Sequence, residues 1–335
     1  MNRTASNPAE NGGSDVLRQL LKILYITLMA ASLPAAVWCC GVFYFLMFSR
    51  SIPWSSAAAL LLAALWIGGC FFRRMTILLA AAEIGITLYF FSITPQERFS
   101  SAVWQRPWTH RPSAVILKNG SIQFKKIRDF RYRTADDFSI RYRTMTVDPA
   151  ELRSLDLALS HWDGMEAVAH TMLAFNFTRN RTLVLSMETR LPEGISQNAV
   201  AGLFKQYEII PVLGTPEDLF DLRIKFRGED FYRYRTNATE KQARQILTAV
   251  TSYLSREPEF YNTLTCNCST SLAFLLDSIG KDPVNDIRLL INGFSDRMLY
   301  DLGYLAHRRG ESFASLKNRS YIPGKSRGTD DKKHL

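Results

Sequence analysis

Apolar residues fall along this chain in two rhythms. Up to about residue 94 they come as long unbroken blocks; beyond it they come as short alternating runs and helical stripes. Three blocks stand out: residues 23–48 (ILYITLMAASLPAAVWCCGVFYFLMF), 55–72 and 75–93. Each is close to the ~20 residues that carry a helix across the hydrocarbon core. Pro34 lies inside the first; a spanning helix tolerates it where neighbouring helices satisfy the freed carbonyl. The first block is too long for a signal-peptide core and two more follow it, so the pattern predicts a retained span, not a cleaved leader.

The second rhythm predicts a different kind of structure. AVILKNGSIQFKKIRDFRYRT reads as two strands joined at Asn119-Gly120, a strong hairpin signal between alternating runs. SLDLALSHW, AVAHTMLAFNF, RTLVLSMETR, YEIIPVLG and FYRYRT read as further strands, the second and third forming an antiparallel pair. NAVAGLF reads as a short helix. ATEKQARQILTAVTSYLSREP reads as an amphipathic helix that ends by Pro258, and SLAFLLDSIG as another. The fold class expected is α+β: a three-helix transmembrane anchor, then a domain with an antiparallel sheet and packed helices. The divisions are a cytoplasmic segment at 1–22, three spans at 23–94, a membrane-surface linker at 95–113, a periplasmic domain at 114–322 and a disordered tail at 323–335. Trp104 and Trp108 of the linker are expected near the headgroups.

Charge fixes the orientation. Arg3, Arg18 and Lys22 precede the first block, Arg73 and Arg74 separate the second from the third, and only Arg50 lies between the first and second. The side richer in Lys and Arg faces the cytoplasm, so three crossings place the remainder outside, in a bacterial periplasm. Long domains cross regardless of their own charge, so the net charge of +10 does not argue for a nucleic-acid partner. Glu83 falls inside the third block, where an ionisable residue invites a functional question; a protonated glutamate bonded between helices is the plainer account. Cys39, Cys40 and Cys70 fit as small apolar packing residues.

The chemistry concentrates in YNTLTCNCST, residues 261–270, directly before an apolar helical run. A thiol attacks as thiolate, and its pKa falls at a helix N-terminus or beside a histidine. Cys268 is placed at that mouth, with Asn267, Ser269 and Thr270 suited to a capped start. Among the five histidines, His170 in AVAHTML and His161 beside Trp162 are the candidates for a base; His170 is preferred. A third group should orient the imidazole, and Ser186 and Glu188 share one face of the next strand. Asn262 and Tyr261 are candidates to bind substrate and support an oxyanion. Cys266 reads as structural, with a strained, reversible bond to Cys268 as the other reading. C-x-C without a nearby histidine is not a zinc pattern, so neither metal nor cofactor is expected.

Several stretches carry a resemblance: KKIRDFRYRTADDF, LSHWDGMEAVAHTMLAF, LSMETR, YEII, RGEDFYRY, PEFYNTLTCNCST and RLLINGFSDRMLYDLG. In order and spacing they resemble the bacterial family defined by the Lnb N-terminal periplasmic domain, over roughly Ile116 to Ile322. That resemblance implies a lipoprotein N-acyltransferase-like thiol site, with the motif histidine at His170 and the motif cysteine at Cys268. Histidine before cysteine is similar to circularly permuted relatives of the NlpC-type papain fold. Cys266 and Ala174 depart from the expected pattern. The expectation is therefore a membrane-anchored periplasmic thiol acyltransferase or acyl hydrolase acting on a lipoprotein or phospholipid acyl group. The partners expected are membrane lipids and lipoproteins, with no nucleic acid. A cysteine peptidase or amidase on cell-wall peptides, and a non-catalytic membrane-tethered interaction domain, are the alternatives.

Overall fold

The structure is a computed structural model that describes residues 8–47, 52–162, 165–280 and 286–324. Arg3 and Arg50, two of the flanking charges, and the polar tail from residue 325 lie outside the described residues. The chain divides into two compact units, before and after Ser100.

The first unit is three long helices: α1 (Pro8–Val42), continued by a π-helical turn at Phe43–Met47, α2 (Ile52–Phe71) and α3 (Arg73–Ser92). All three are long and apolar enough to cross a membrane. The first begins upstream of its apolar block because helix formers such as Leu17, Gln19 and Lys22 extend it beyond the lipid-like stretch. Between helices the Trp66 indole donates to Ser32 Oγ at 3.2 Å, and Trp38 meets Phe90 edge-to-face.

A capped turn, α4 (Pro95–Arg98), closes the first unit, and the second begins after it. A hairpin follows, β1 (Ser113–Ile116) and β2 (Ile122–Arg128), turned at Gly120, whose φ of +81° suits a residue without Cβ. A small hairpin, β3 (Arg131–Tyr132) with β4 (Phe138–Ser139), precedes β5 (Tyr142–Val147). Then come the long strands β6 (Leu152–His161), β7 (Ala169–Phe177), β8 (Thr182–Arg190) and β9 (Glu208–Gly214). Helix α5 (Pro216–Asp221) runs into a π-helical stretch to Arg227, then β10 (Asp230–Arg235) and α6 (Glu240–Leu254). The short β11 (Glu259–Phe260) leads to α7 (Cys268–Asp277), α8 (Ser295–Asp301), α9 (Phe313–Ser320) and β12 (Tyr321–Ile322).

Ten strands form one sheet whose main path is β1-β2-β9-β8-β7-β6-β10-β12, with β5 on β2 and β11 on β9. Pairing is antiparallel apart from a short parallel contact between β2 and β9. The class is mixed α+β, as the alternation predicts. NAVAGLF shrinks to a single 3-10 turn at Ala201–Leu203. There Gly202 sits so close to the Tyr261 ring and Thr263 Oγ1 that a Cβ would lie 2.8 and 2.4 Å from them.

The sheet separates two cores. One face carries Leu155, Leu157, Leu173, Phe175 and Leu185 against Ile246, Leu247 and Val250 of α6 and Leu272 and Leu275 of α7. The capped, amphipathic α6 buries this stripe from a Thr239–Gln242 capping box onward. The other face carries Ala158, Met172, Ala174, Val184 and Val212 against Leu219, Phe220 and Ile224. Each fully buried aliphatic side chain contributes on the order of 1.5–3 kcal/mol.

One polar bolt fixes α5 to the sheet. Asp218, fully buried, accepts from Arg128 Nη2 at 2.7 Å, the Phe130 N–H at 2.8 Å and the Tyr132 hydroxyl at 3.1 Å. Removing one partner of such a buried pair strands the other charge. Asp218→Ala is expected to lower unfolding free energy by about 3–5 kcal/mol, read by chemical denaturation of the purified chain; a loss within a few tenths would show that the bolt does not hold α5.

Candidate active site

The site exists because one ladder stops early. β7 and β8 pair from Asn176–Thr182 to Met172–Ser186 and no further. β7 continues with β6 to Ala169, and β8 continues with β9 to Arg190. A notch therefore opens between the start of β7 and the end of β8. Backbone groups facing it need partners. The Ala169 N–H donates to Asn292 Oδ1 at 2.9 Å, the Thr171 N–H is near enough to favour a Cys268 thiolate, and the Ala169 carbonyl lies 3.8 Å from the Cys268 sulfur.

The notch joins groups that a continuous sheet would keep apart. Alternation puts His170 on the face of Met172 and Ala174, whereas Cys268 belongs to the other layer with Leu272 and Leu275. At the notch the sulfur and the imidazole come near enough to shift each other's pKa.

Cys268 is the first residue of α7. Asn267 Oδ1 caps the helix, accepting from the N–H groups of Ser269 at 3.0 Å and Thr270 at 3.1 Å. Those donors are thereby occupied. The Asn267 side-chain amide donates to Thr263 O at 3.1 Å, tying the cap to the preceding loop.

Behind the imidazole stands a relay. His170 Nε2 lies 2.6 Å from Ser186 Oγ, and the Ser186 hydroxyl donates to Glu188 Oε1 at 2.6 Å. Because serine spends its proton on the carboxylate, Nε2–H must be the donor to serine. Nδ1 is then the nitrogen left to exchange a proton with the sulfur. Glu188 Oε1 also lies 3.3 Å from Nε2 and accepts from Arg223 Nη2 at 3.1 Å. Arg223 is buried and donates through Nη1 to Leu219 O at 2.8 Å.

Charge follows from this geometry. Burial opposes a thiolate at Cys268, but the His170 hydrogen bond and charge outweigh it and lower the thiol pKa. Burial and the Arg223 charge work against an imidazolium, but Glu188 and the sulfur prevail and raise His170 to about 9. Burial would raise Glu188, yet His170 and Arg223 hold it well below the usual carboxylate range. These shifts favour a thiolate–imidazolium pair backed by a carboxylate.

Cys268, His170, Ser186 and Glu188, expected from the sequence, all converge here. Asn262 serves elsewhere. Its backbone pairs with Cys266, and its Oδ1 accepts from the Leu264 and Thr265 N–H groups at 3.0 Å, so it shapes the loop. Tyr261 stands near enough for the Cys268 charge to act on its hydroxyl, whose pKa burial raises first. The amide beside the sulfur belongs instead to Asn292, whose Nδ2 donates to Sγ at 3.4 Å. Gly293 makes this possible: its Cα packs so tightly that a Cβ would lie 1.9 Å from Glu166 O, and its N–H donates to Ala167 O at 3.1 Å. Asn292 and Gly293 lie in RLLINGFSDRMLYDLG, a signal for this contact that the strand and helix pattern alone does not assign. Arg223 had no such signal.

His161 ends β6 and packs edge-on against Tyr232 at 5.6 Å; burial, then Lys317, lowers its pKa. Cys266 is a free thiol whose pKa burial pushes up to about 11, and it lies 3.7 Å from Glu259 Oε2. Trp104 stacks under Arg190 at 4.0 Å and Trp108 packs against the second core, so both lie on the domain itself. Arg131, Arg133, Arg227, Arg233 and Arg235 each pair with a carboxylate. Among the described residues no three His, Cys, Asp or Glu side chains gather as a metal would need.

Residues 139–293 match the family described as the Lnb N-terminal periplasmic domain. That span contains Cys268, His170, Ser186, Glu188, Arg223 and Asn292 together. No curated protein and no solved structure matches the chain.

A lowered thiol and a histidine raised to about 9 fix the pH behaviour. Alkylation of Cys268 by iodoacetamide is expected to proceed at pH values well below the ordinary thiol pKa of about 8.5. In His170→Gln its midpoint is expected to rise to or above that value; an unmoved midpoint would refute the pairing. Because the folded pKa of His170 is raised, the stabilisation from its proton is full below 6.5 and lost as pH rises through about 9, whereas that from the lowered Cys268 and Glu188 is lost as pH falls.

Proposed function

We propose, from the premise that residues 139–293 carry an Lnb N-terminal periplasmic domain, that this chain is a membrane-anchored thiol acyl-transfer enzyme. The observation that carries the reading is the contact of Cys268 with His170 at the head of α7, with Glu188 and Arg223 holding the imidazole charged. The family description and three membrane-length helices support a periplasmic domain tethered to the membrane. The Lys and Arg distribution supports a cytoplasmic N-terminus with three crossings.

The chemistry follows from the resting ionisation. The Cys268 thiolate attacks the carbonyl carbon of an ester or amide, forming a C–S bond while the carbonyl π pair moves to oxygen. Asn292 Nδ2 and the Cys268 N–H, which the Asn267 cap does not engage, are the donors placed to receive that oxyanion. As the tetrahedral centre collapses, the alkoxide or amine leaves and takes the proton from imidazolium Nδ1. His170 is then neutral, with Nε2–H still held by Ser186. An amine or water attacks the thioester, gives its proton to Nδ1, and the thiolate departs. An amine acceptor gives acyl transfer and water gives hydrolysis. The placement beside a membrane supports a lipoprotein or phospholipid donor.

The decisive test presents the full chain in lipid nanodiscs with a phospholipid, a lipopeptide and a muropeptide, each labelled on the acyl side. Mass spectrometry is expected to find a thioester on Cys268 from the lipid donors and none in Cys268→Ser; a thioester from the muropeptide alone would favour the amidase reading. Asn292→Ala is expected to lower kcat by roughly a hundredfold to a thousandfold, as for loss of one oxyanion donor, with KM little changed. Glu188→Gln is expected to lower the His170 pKa, so the alkaline fall of the rate moves to lower pH; a profile that stays put would remove Glu188 from the relay.

A further inference from the structure

The thiol site accounts for the reacting carbonyl and leaves the rest of the donor without a seat. A cavity of about 250 Å³ lies between the sheet and helices α6, α7 and α8. Its walls include Leu157, Leu173, Ile246, Leu272, Met298 and Leu305. Protein interiors pack to crystal density, and a dry void of about 150 Å³ already admits benzene. A larger one in the main core, beside a nucleophile, is a binding volume.

Two wall residues place its mouth. Thr171 and Ser269 line the cavity and also flank the sulfur. The Thr171 N–H acts on the Cys268 charge, Ser269 Oγ lies 4.0 Å from Sγ, and the two hydroxyls lie 2.9 Å apart.

Much of the hydrogen-bonding capacity of the wall's polar side chains is already engaged. Thr171 and Ser269 bond each other. Thr236 Oγ1 donates to Leu155 O at 2.7 Å. The Asn237 amide donates to the carbonyls of Gly303 and Leu305 at 2.9 and 3.0 Å. Gln242 Oε1 caps α6 at Thr239. Among the described residues no Asp, Glu, Lys, Arg or His lines the cavity. A charged, amide-rich cell-wall peptide would lose its hydration there without compensation, whereas hydrocarbon would not.

We propose that this cavity holds the hydrocarbon tail of the acyl group, with its carbonyl carbon at Cys268. The proposal rests on the acyl-transfer reading and selects a lipid donor over a peptide one. Each methylene that enters is worth roughly fourfold in affinity, so donor preference rises with chain length until the cavity is full.

The test uses the full-length Cys268→Ser chain in lipid nanodiscs, with a medium-chain fatty acid carrying a terminal diazirine as probe. Irradiation and peptide mapping are expected to place cross-links on cavity-wall residues of α6, α7 and α8. Ala273→Trp in the same background fills the cavity away from the sulfur and is expected to cut those cross-links roughly tenfold or more, as two or three excluded methylenes would. Ala273→Leu, a milder filler, gives an intermediate loss and answers if the tryptophan variant does not fold. Cross-links confined to α1–α3, absent altogether, or unchanged by both fillers would overturn the proposal. No turnover is needed, so failure of the thiol reading shows separately, as a missing thioester on wild-type Cys268 while cavity labelling persists.

Discussion

The site depends on a missing stretch of ladder. Had β7 and β8 paired to their ends, Ala169 and Thr171 would have met β8, and the sheet would have stood between the α7 layer and the His170 face. Their divergence after Met172–Ser186 frees backbone donors at the position where a thiolate needs them. The cost of an unpaired N–H is offset at Ala169 by the bond to Asn292 Oδ1. The opening is thus a set of polar groups that only the site's own side chains satisfy.

The same opening explains why Asn292 comes from so far along the chain. It has to approach the start of β7 closely, and Gly293 allows this because any side chain there would strike Glu166 O. The backbone contact from Gly293 to Ala167 then sets the amide against both strand and sulfur. One small residue positions two hydrogen bonds of the Asn292 side chain.

The parts legible from sequence were those set by local rules. Hydrophobic block length gave the three long helices, alternation gave the principal strands, and Asn119-Gly120 gave its hairpin. A capped, apolar run beginning at Cys268 gave the helix mouth. The period-2 rule put Ser186 and Glu188 on a common face, and register brought that face to His170. What local rules do not contain is which nonlocal amide completes the site. Asn262 was the near neighbour in sequence, but its side chain closes its own turn. Asn292 was 24 residues past the sulfur, beyond any periodicity. Arg223 was hidden for a related reason: on a helix face it reads as a solvated charge until the sheet register delivers Glu188 to it. A linker tryptophan suited to headgroups is equally suited to stacking under Arg190, as Trp104 does.

Burying so many ionised groups needs an explanation, because an isolated charge taken out of water costs several kcal/mol even after relaxation. The arrangement here alternates sign. Cys268 thiolate faces His170 imidazolium, His170 faces Glu188, and Glu188 faces Arg223. Nearby, Arg128 lies close enough to add its charge to the field at Glu188 and is neutralised by Asp218. Every member has an opposite neighbour, so the cluster is neutral overall while each group stays charged. This makes α5 part of the catalytic argument although it touches no reacting atom. Asp218 bolts its start to β2, Leu219 O accepts from Arg223 Nη1, and Arg223 keeps Glu188 ionised. Loosening that helix would leave Glu188 with one cation fewer, weaken its hold on the imidazolium and return the Cys268 proton to sulfur.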